Sequence, residues 1–243
     1  SLEEETGQAT GYKQIGSISL ARTEARLEEI KRTSSMAKVF GVESEMIDNT
    51  RLAELYPGIN TDGVLGALYT PDDGQTNPID TTMALAKGAR MNGVEIFENT
   101  VMEELLTKDN VITGIRTDKG KVEVDQVILC GGMWTRDLAK TVGVQLPIYT
   151  CEHSYIVTEE MEGLSQRPVL RDYDRGLYYK EDAGKMLIGW FEDNAKGMSM
   201  DNITDDFCFG QFPCDQDHVE PYVMNSMDTF PQLETTGIRT WFN

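Results

Sequence analysis

The sequence has few of the side chains that bind structural metals or cross-link a chain. Its 243 residues include two histidines, His153 and His218, and four cysteines, Cys130, Cys151, Cys208 and Cys214. The cysteine spacing matches neither a C-x-x-C metal motif nor a dense disulfide framework. Two histidines are too few for a histidine-rich metal site. We therefore predict no metal centre and a reducing compartment, either the cytosol or an organelle matrix.

Long apolar runs and positive charge are also scarce. No run approaches the ~18 residues that a membrane helix needs, and the acidic start, SLEEE, is unlike a secretory signal. The 41 acidic side chains outnumber the 22 basic ones, which gives a formal net charge of -19. Such a surface repels phosphate backbones and anionic membrane faces. The composition therefore argues against membrane insertion and against nucleic acid as a partner.

What the sequence does contain is a set of helix and strand signals in three blocks, residues 1–58, 59–148 and 149–243. In the first block, Thr23 is placed to cap a helix with one buried face. In the second, Asn77 suits an N-cap and Pro78 a first helical position. Ile79 and Met83, with Ala86, have the spacing of that helix's buried stripe. Short β segments are predicted at residues 94–97, 101–106, 111–116 and 122–124.

The second block closes on an apolar run, residues 127–130, which is typical of a strand buried on both faces. Gly131 and Gly132 follow it and lead into a helix that contains Trp134. Ligands collect where strands of open α/β sheets end, and glycine lets a backbone approach them closely. The same glycines suit the steric needs of a tight turn alone. The pattern leaves both interpretations open.

The third block alternates like a half-exposed sheet from about Cys151 onward. Residues 177–181 and 185–190 predict a hairpin. Within it, Tyr178 and Tyr179 must point to opposite faces, so only one of them can line a pocket. A helix over 217–230 and a strand over 237–242 are predicted to follow.

Four motifs occur in an order that is specific as a set: LEEETG at 2–7, YTPDDG at 69–74, CGGMW at 130–134 and EHSYIVT at 152–158. Together they resemble the sarcosine and dimethylglycine dehydrogenases of the D-amino-acid-oxidase superfamily. The resemblance implies a mixed α/β (α+β) fold of that type. Residues 59–148 would be part of an FAD domain with a mixed sheet. Residues 1–58 and 149–243 would form a substrate domain with a largely antiparallel sheet.

The resemblance also implies a reaction. In such enzymes FAD takes a hydride from the N-methyl carbon of a methylated amino acid. The resulting iminium releases formaldehyde, or passes its one-carbon unit to tetrahydrofolate in a separate domain. The expected partner is a small methylated amine such as sarcosine or dimethylglycine, and the electron acceptor stays open. A bacterial protein would be cytoplasmic and a eukaryotic one would lie in the mitochondrial matrix.

Two residues match the catalytic positions of the resembling enzymes. His153 matches an active-site histidine, and a nearby base is useful because hydride transfer needs a neutral amine. Tyr178 matches an active-site tyrosine that bonds the substrate or tunes its protonation. Both side chains also have a purely structural interpretation, as a hydrogen-bonded histidine of a strand and a packed tyrosine.

Five residues match cofactor-binding positions. By the resemblance, Gly131, Gly132 and Met133 would approach the diphosphate and ribose of FAD through main-chain atoms, with Trp134 packed beside them. Val101 would meet the adenine through its backbone amide and carbonyl, which leaves its side chain free to pack.

The chain departs from the family pattern in one respect. It contains no G-x-G-x-x-G turn, the motif that binds a pyrophosphate with helix N-terminal amides. We therefore expect an internal stretch of a longer flavoprotein that binds FAD weakly by itself. Two other functions remain open. One is a non-catalytic relative of the regulatory subunit of pyruvate dehydrogenase phosphatase, and the other is an amine oxidase that passes electrons to oxygen.

Overall fold

A computed structural model describes residues 1–204 and 206–243, and these form two compact units. The first unit comprises Ser1–Gly88, His153–Ala195 and Phe209–Asn243. The second comprises Ala89–Glu152 and Lys196–Cys208. The assignment of residues 59–148 to an FAD domain stays a prediction.

The described residues form six α-helices and fifteen strands, with three short 3-10 turns at Gly132–Trp134, Met200–Asn202 and Pro231–Thr235. The helices are α1 (Leu2–Thr6), α2 (Glu24–Val39), α3 (Asn49–Leu55), α4 (Pro78–Met91), α5 (Thr135–Lys140) and α6 (Gln216–Thr229). The strands are β1 (Lys13–Gln14), β2 (Ser17–Ala21), β3 (Glu45–Ile47), β4 (Gly66–Thr70), β5 (Gly74–Gln75), β6 (Met102–Lys108), β7 (Val111–Thr117), β8 (Gly120–Glu123), β9 (Thr150–Cys151), β10 (Tyr155–Thr158), β11 (Val169–Asp172), β12 (Leu177–Asp182), β13 (Lys185–Trp190), β14 (Gly197–Met198) and β15 (Ile238–Phe242).

An eight-stranded sheet organises the first unit, in the order β15-β10-β13-β12-β11-β2-β4-β3. All of its pairings are antiparallel except that of β2 with β11. The sheet is therefore mixed, as the predicted fold class requires.

One face of this sheet carries the main hydrophobic core. Buried side chains alternate along β10, β11 and β12, as a half-buried sheet dictates. They pack against helices α3 and α6 and the 3-10 turn at Pro231–Thr235. The central members are Ile18, Leu20, Leu52, Tyr56, Leu170, Tyr179, Ile188, Trp190, Val219 and Leu233. Side chains from β10 to β13 belong to this core, and the alternate side chains of these strands lie on the opposite face.

Helix α2 covers one end of that opposite face. Thr23 caps the helix by accepting a hydrogen bond from the Arg26 amide at 3.2 Å, and this satisfies a backbone donor that the helix leaves unpaired. Ile30 is buried in a small cluster with Ala21 and Leu68. The predicted cap and buried face of α2 are confirmed. The face over β10, β13 and β12 holds half-exposed side chains.

The second unit contains the antiparallel sheet β6-β7-β8 and the pair β9-β14. Asp109 and Asn110 join β6 to β7 with φ values of 53° and 63°. Two consecutive left-handed residues are the requirement of a tight hairpin turn, which Asp and Asn tolerate. The predicted β segments at 101–106, 111–116 and 122–124 are confirmed as β6, β7 and β8.

Two predicted strands are wrong. Residues 94–97 and 127–130 form no strand, and Ile128 is 85% exposed. An apolar run becomes a buried strand only when neighbouring strands take up its backbone hydrogen bonds. No strand among the described residues pairs with either run. The hydrophobic composition of the two runs favours a strand, but it does not show whether another strand lies beside them.

The predicted buried stripe of α4 is also wrong. Ile79 is 74% exposed and Met83 50% exposed, whereas Ala84 is buried. Gly88 faces Thr6, because a β-carbon added there would lie 3.2 Å from the Thr6 methyl. The helix therefore packs through its small residues, which permit a closer approach than the larger stripe would. Its cap is as predicted, since Asn77 Oδ1 accepts from the amides of residues 79 and 80 at 3.0 and 3.2 Å.

Candidate functional site

Three ring side chains meet on the half-exposed face of the eight-stranded sheet. His153 Nε2 lies 3.3 Å from the Tyr178 hydroxyl. The His153 ring stacks on Phe191 with centroids 4.8 Å apart, and Tyr178 lies 5.6 Å from Phe191. His153 and Phe191 are exposed and Tyr178 is half-buried. The two residues predicted to be catalytic are thus neighbours on a surface that a ligand can reach.

Alternation along two strands explains this placement. Tyr179 is fully buried in the core, so Tyr178 must project from the other face of β12. His153 lies just before β10, because the predicted strand from Cys151 is broken at residues 152–154 and resumes at Tyr155. Strand β10 then buries Ile156 and leaves Tyr155 on the half-exposed face.

A row of residues crosses this face in register. Tyr155 in β10 is opposite Gly189 in β13, Gly189 is opposite Tyr178 in β12, and Tyr178 is opposite Arg171 in β11. Directly opposed residues have β-carbons about 4.5–5.5 Å apart. Arg171 is therefore a basic residue directly opposite Tyr178, on the neighbouring strand β11.

A cavity of about 770 Å³ adjoins this row within the first unit. Tyr178 and Phe191 line it together with Arg171 and Arg175. The Arg175 guanidinium already has partners, because it donates hydrogen bonds to Asp228 and Thr229. In the part of the chain that the structure describes, the Arg171 side chain has neither an ion pair nor a hydrogen bond. A planar guanidinium without a carboxylate partner is suited to a carboxylate ligand.

Burial raises the pKa of Tyr178, and the neighbouring Tyr155 and Glu192 raise it further. A tyrosine pKa above its ordinary value keeps the phenol protonated at neutral pH. The Tyr178 hydroxyl can therefore donate a hydrogen bond to a lone pair. Its partner His153 offers a ring nitrogen that can accept or carry a proton.

A cavity of about 820 Å³ in the second unit is lined by two of the five predicted cofactor residues, Val101 and Trp134. Three carboxylates, Glu103, Asp118 and Asp137, also line it. The Val101 amide donates to Asp118 Oδ1 at 3.0 Å, and its carbonyl accepts from the Asp118 amide at 3.1 Å. The backbone groups predicted to meet adenine thus already have a partner, although a carbonyl oxygen can accept a second bond.

The other three predicted cofactor residues form an open bend before α5. Gly131 and Gly132 are exposed, and nothing lies within 4 Å of a β-carbon built on Gly132, whose φ is 54°. The first amides of a helical turn have no intrahelical acceptor, and this applies to Gly132 and Met133. The bend therefore fits close approach by a ligand. The three acidic residues of the cavity suit the hydroxyl and amino groups of an adenosine better than a diphosphate.

The residues described, 1–204 and 206–243, hold no group of three or more His, Cys, Asp or Glu arranged to bind a metal. Within the same ranges, no helix has the length and apolar character to cross a membrane. None of the four cysteines, all of which lie in the described part of the chain, forms a disulfide.

Sequence reasoning missed Arg171, Phe191 and Gly189. Arg171 alternates with buried Leu170 and Asp172 in a four-residue strand, and a strand so short gives little pattern. Phe191 follows β13, where the alternation no longer specifies a face. Only the pairing register shows that Gly189 lies between Tyr155 and Tyr178.

A reachable histidine–tyrosine pair beside a cavity lined by an arginine is an arrangement that can bind a small molecule and accept or donate a proton. The family model described as FAD dependent oxidoreductase matches residues 1–242. The chain belongs to this family.

Three relatives are similar over nearly the whole chain. A 4-methylaminobutanoate oxidase (formaldehyde-forming) of Paenarthrobacter nicotinovorans is 36% identical over 100% of this chain and 29% of its own length. Human mitochondrial sarcosine dehydrogenase is 33% identical over 98% of this chain and 26% of its own. The mouse mitochondrial pyruvate dehydrogenase phosphatase regulatory subunit is 35% identical over 98% of this chain and 27% of its own.

The crystal structure of L-proline dehydrogenase from P. horikoshii has the same fold. It aligns with a TM-score of 0.83 at 21% identity, over 99% of this chain and 62% of that one. The predicted fold class is confirmed. The chain spans between a quarter and a third of the length of the three curated relatives.

Proposed function

We propose that this chain supplies the substrate-facing part of an enzyme that oxidatively demethylates an N-methylated amino acid such as sarcosine or dimethylglycine, with FAD as the oxidant. The observation that carries the proposal is the pair His153–Tyr178, with a 3.3 Å contact on a reachable sheet face. The names of two relatives, a 4-methylaminobutanoate oxidase and a sarcosine dehydrogenase, support this substrate class.

The reaction explains why a proton-handling pair is needed. An amine that carries a proton has no lone pair to stabilise the iminium that forms as hydride leaves its methyl carbon. The His153 imidazole would accept that proton, and the Tyr178 phenol would hydrogen-bond the substrate. FAD, when bound, supplies the hydride acceptor. Water then adds to the iminium and formaldehyde leaves.

Arg171 would hold the other end of the substrate. It lines the cavity that Tyr178 also lines, and it lies one strand further from His153 than Tyr178 does. A carboxylate bound by the guanidinium would leave the amine directed toward the tyrosine. This arrangement favours an amino acid over a methylamine without a carboxylate.

The second unit would hold the adenosine end of FAD. Trp134 would form a wall of the cavity, while Gly131, Gly132 and Met133 would approach the cofactor through main-chain atoms. Val101 would use the second lone pair of its carbonyl. These assignments rest on the resemblance and on the open bend at the glycines.

Anaerobic mixing of the FAD-loaded enzyme with sarcosine, dimethylglycine and 4-methylaminobutanoate tests the proposal. We expect at least one of them to bleach the oxidised flavin. His153→Ala should slow this bleaching on the order of 10²-fold, whereas His218→Ala should leave it unchanged. A flavin that no methylated amino acid reduces would contradict the proposal.

The same experiment separates the two alternatives. A non-catalytic role, which the regulatory relative at 35% identity suggests, predicts that no substrate reduces the flavin. Use of oxygen as electron acceptor, as in the relative named an oxidase, predicts rapid reoxidation and hydrogen peroxide when air is admitted. Slow reoxidation by air and fast reoxidation by an electron-transfer dye would indicate a dehydrogenase.

A further inference from the structure

The outer end of the Tyr178 ring lies over Gly189 in the next strand. Gly189 is buried in the interior of β13, directly opposite Tyr178. A β-carbon added at Gly189 would overlap the Cζ and hydroxyl oxygen of Tyr178 and lie 2.5 Å from its Cε1. Real β-carbons do not approach other atoms this closely, so any side chain at this position would displace the ring.

Glycine is costly in the interior of a strand, because it is flexible when unfolded and contributes no packing when folded. Such a glycine often marks a close approach of another group. At Gly189 the close approach is that of the phenol.

The consequence is the contact with His153. Strands β12 and β10 lie on either side of β13, so two strand spacings, about 9.5 Å, separate them. A tyrosine that stood upright on β12 would hold its hydroxyl above its own strand. Because the ring crosses the bare backbone at Gly189, its hydroxyl reaches His153 beside β10 at 3.3 Å.

We propose that Gly189 is a positioning residue, which lets Tyr178 lie across β13 and pair with His153. This inference rests on the proposed function for its catalytic consequence, but its geometric part is independent of that function. A different role for the same contact is purely structural, since an aromatic ring laid over a strand glycine stabilises a sheet.

A double-mutant cycle distinguishes the two roles. In the FAD-loaded enzyme, Gly189→Ala should lower kcat at least tenfold with KM changed less than twofold. The same change made in a Tyr178→Ala background should cause no further loss. Equal losses in both backgrounds would overturn the proposal.

The matched control is Gly197→Ala in the second unit. A β-carbon added at Gly197 would lie 2.7 Å from Cε1 of Tyr149, so a tyrosine also lies over this glycine, and neither residue belongs to the site. Gly197→Ala should leave kcat unchanged. A loss of kcat equal to that of Gly189→Ala would show that the effect is structural and would overturn the proposal.

A second readout needs no turnover. The 243-residue chain has two histidines, so a ¹⁵N spectrum of its imidazoles has one signal set from His153 and an internal control from His218. Gly189→Ala should move the Nε2 signal of His153 as Tyr178→Phe does, and leave His218 in place. A His153 signal identical to wild type would overturn the positioning role, whatever the kinetics show.

Two further outcomes keep the proposal testable. If the His153 signal moves but kcat does not change, the geometry holds and the catalytic role of the pair fails. If Gly189→Ala alone does not fold, the double variant Tyr178→Ala/Gly189→Ala removes the overlap and should fold with the His153 signal of Tyr178→Ala. A double variant that also fails to fold would contradict the proposal.

Discussion

Arg171 is an arginine of the eight-stranded sheet that also lines the cavity beside Tyr178. Most arginines of the first unit have an anionic partner, as Arg22 has Asp172 and Arg175 has Asp228. Arg171 has none among the described residues, although the chain has an excess of carboxylates. Its guanidinium, in the wall of the cavity that Tyr178 also lines, is therefore able to bind an anionic ligand.

Replacement of Arg171 by Gln should therefore weaken substrate binding. A hydrogen bond to a charged group contributes about 1.5–3 kcal/mol, so we expect KM for a methylated amino acid to rise about 10- to 150-fold. The change in kcat should be smaller, because the carboxylate contact is equally present in ground and transition states. Steady-state kinetics measure both. Arg51→Gln, at an exposed pair with Glu54, is the control, and an unchanged KM in Arg171→Gln would refute the assignment.

Tyr179 shows how burial changes an ionisation. Burial raises its pKa to about 12, and burial also raises the pKa of Tyr56. The folded chain therefore keeps the Tyr179 proton over the range from pH 10 to pH 12, where the unfolded chain has lost it. The contribution of Tyr179 to the free energy of unfolding is fully present below pH 10. It decreases by about 1.4 kcal/mol per pH unit as the pH rises toward 12.

Tyr179→Phe should remove that dependence. We expect the free energy of unfolding of the variant to increase relative to that of wild type as the pH rises from 10 to 12. Below pH 9 the difference between the two should not change with pH. Urea denaturation at stepped pH measures the difference. Tyr149→Phe, at an exposed phenol, should run parallel to wild type. Parallel curves for Tyr179→Phe as well would contradict the buried-phenol explanation.

At the scale of elements, an ion pair joins the ends of β2 and β11. Arg22 Nε donates to Asp172 Oδ2 at 2.7 Å, and the Asp172 side chain is fully buried. Asp174, two residues on, accepts from the Arg22 amide and the Thr23 hydroxyl. The turn after β11 therefore fixes the start of α2, beside the parallel pairing of the eight-stranded sheet.

Removal of one partner should be strongly destabilising. Asp172→Ala leaves the Arg22 guanidinium largely buried and uncompensated, which costs about 3–5 kcal/mol. We expect a correspondingly large fall in the midpoint of thermal unfolding. Glu54→Ala, which breaks the exposed pair with Arg51, should cost less than about 1 kcal/mol. Similar losses of stability in the two variants would mean that burial does not determine how much the Arg22–Asp172 pair stabilises the fold.

Elements with strong local signals could be predicted from sequence. The cap of α4, the hairpin β12–β13 and helix α6 depend on residues close together in the chain, such as Asn77 and the Ala183-Gly184 turn. Elements that depend on distant partners could not. The apolar run at 127–130 has the composition of a strand, but no neighbour supplies its hydrogen bonds. On α4, Ala84 rather than Met83 is buried, because α1 lies on that side.

The same distinction applies to the candidate site. Alternation along β12 is enough to place Tyr178 and Tyr179 on opposite faces from the sequence alone. The contact of Tyr178 with His153 is not accessible in this way, because it depends on the order β10-β13-β12 and on the glycine between them. Arg171 requires the register of β11 as well.

At the scale of the whole molecule, the chain passes between its two units several times. Hydrogen bonds in the first unit join residues that are 150 and 168 positions apart in sequence, Arg22 with Asp172 and Asn60 with Asp228. No composition change or linker in the sequence marks these crossings, and the assignment of residues 1–58, 59–148 and 149–243 to two domains stays a prediction. Long-range pairings, here β2 with β11, define the two units.

The charge of the whole molecule bears on cofactor binding. The diphosphate of FAD is anionic, the chain carries a net charge of -19, and the cavity beside Trp134 has three carboxylates in its wall. The sequence contains no glycine-rich turn to offset this repulsion. We therefore expect the 243-residue chain to purify with little or no flavin and to bind adenosine more tightly than FAD.

Because the repulsion is electrostatic, salt should weaken it. Affinity for FAD should rise between low and high ionic strength, whereas affinity for uncharged adenosine should change little. Flavin fluorescence and calorimetric titration measure the two affinities. Trp134→Ala should reduce adenosine binding, with Trp241→Ala in the first unit as the control. A chain that purifies yellow with one flavin per molecule would refute the electrostatic argument, since the contacts present would then outweigh both the acidic wall and the missing turn.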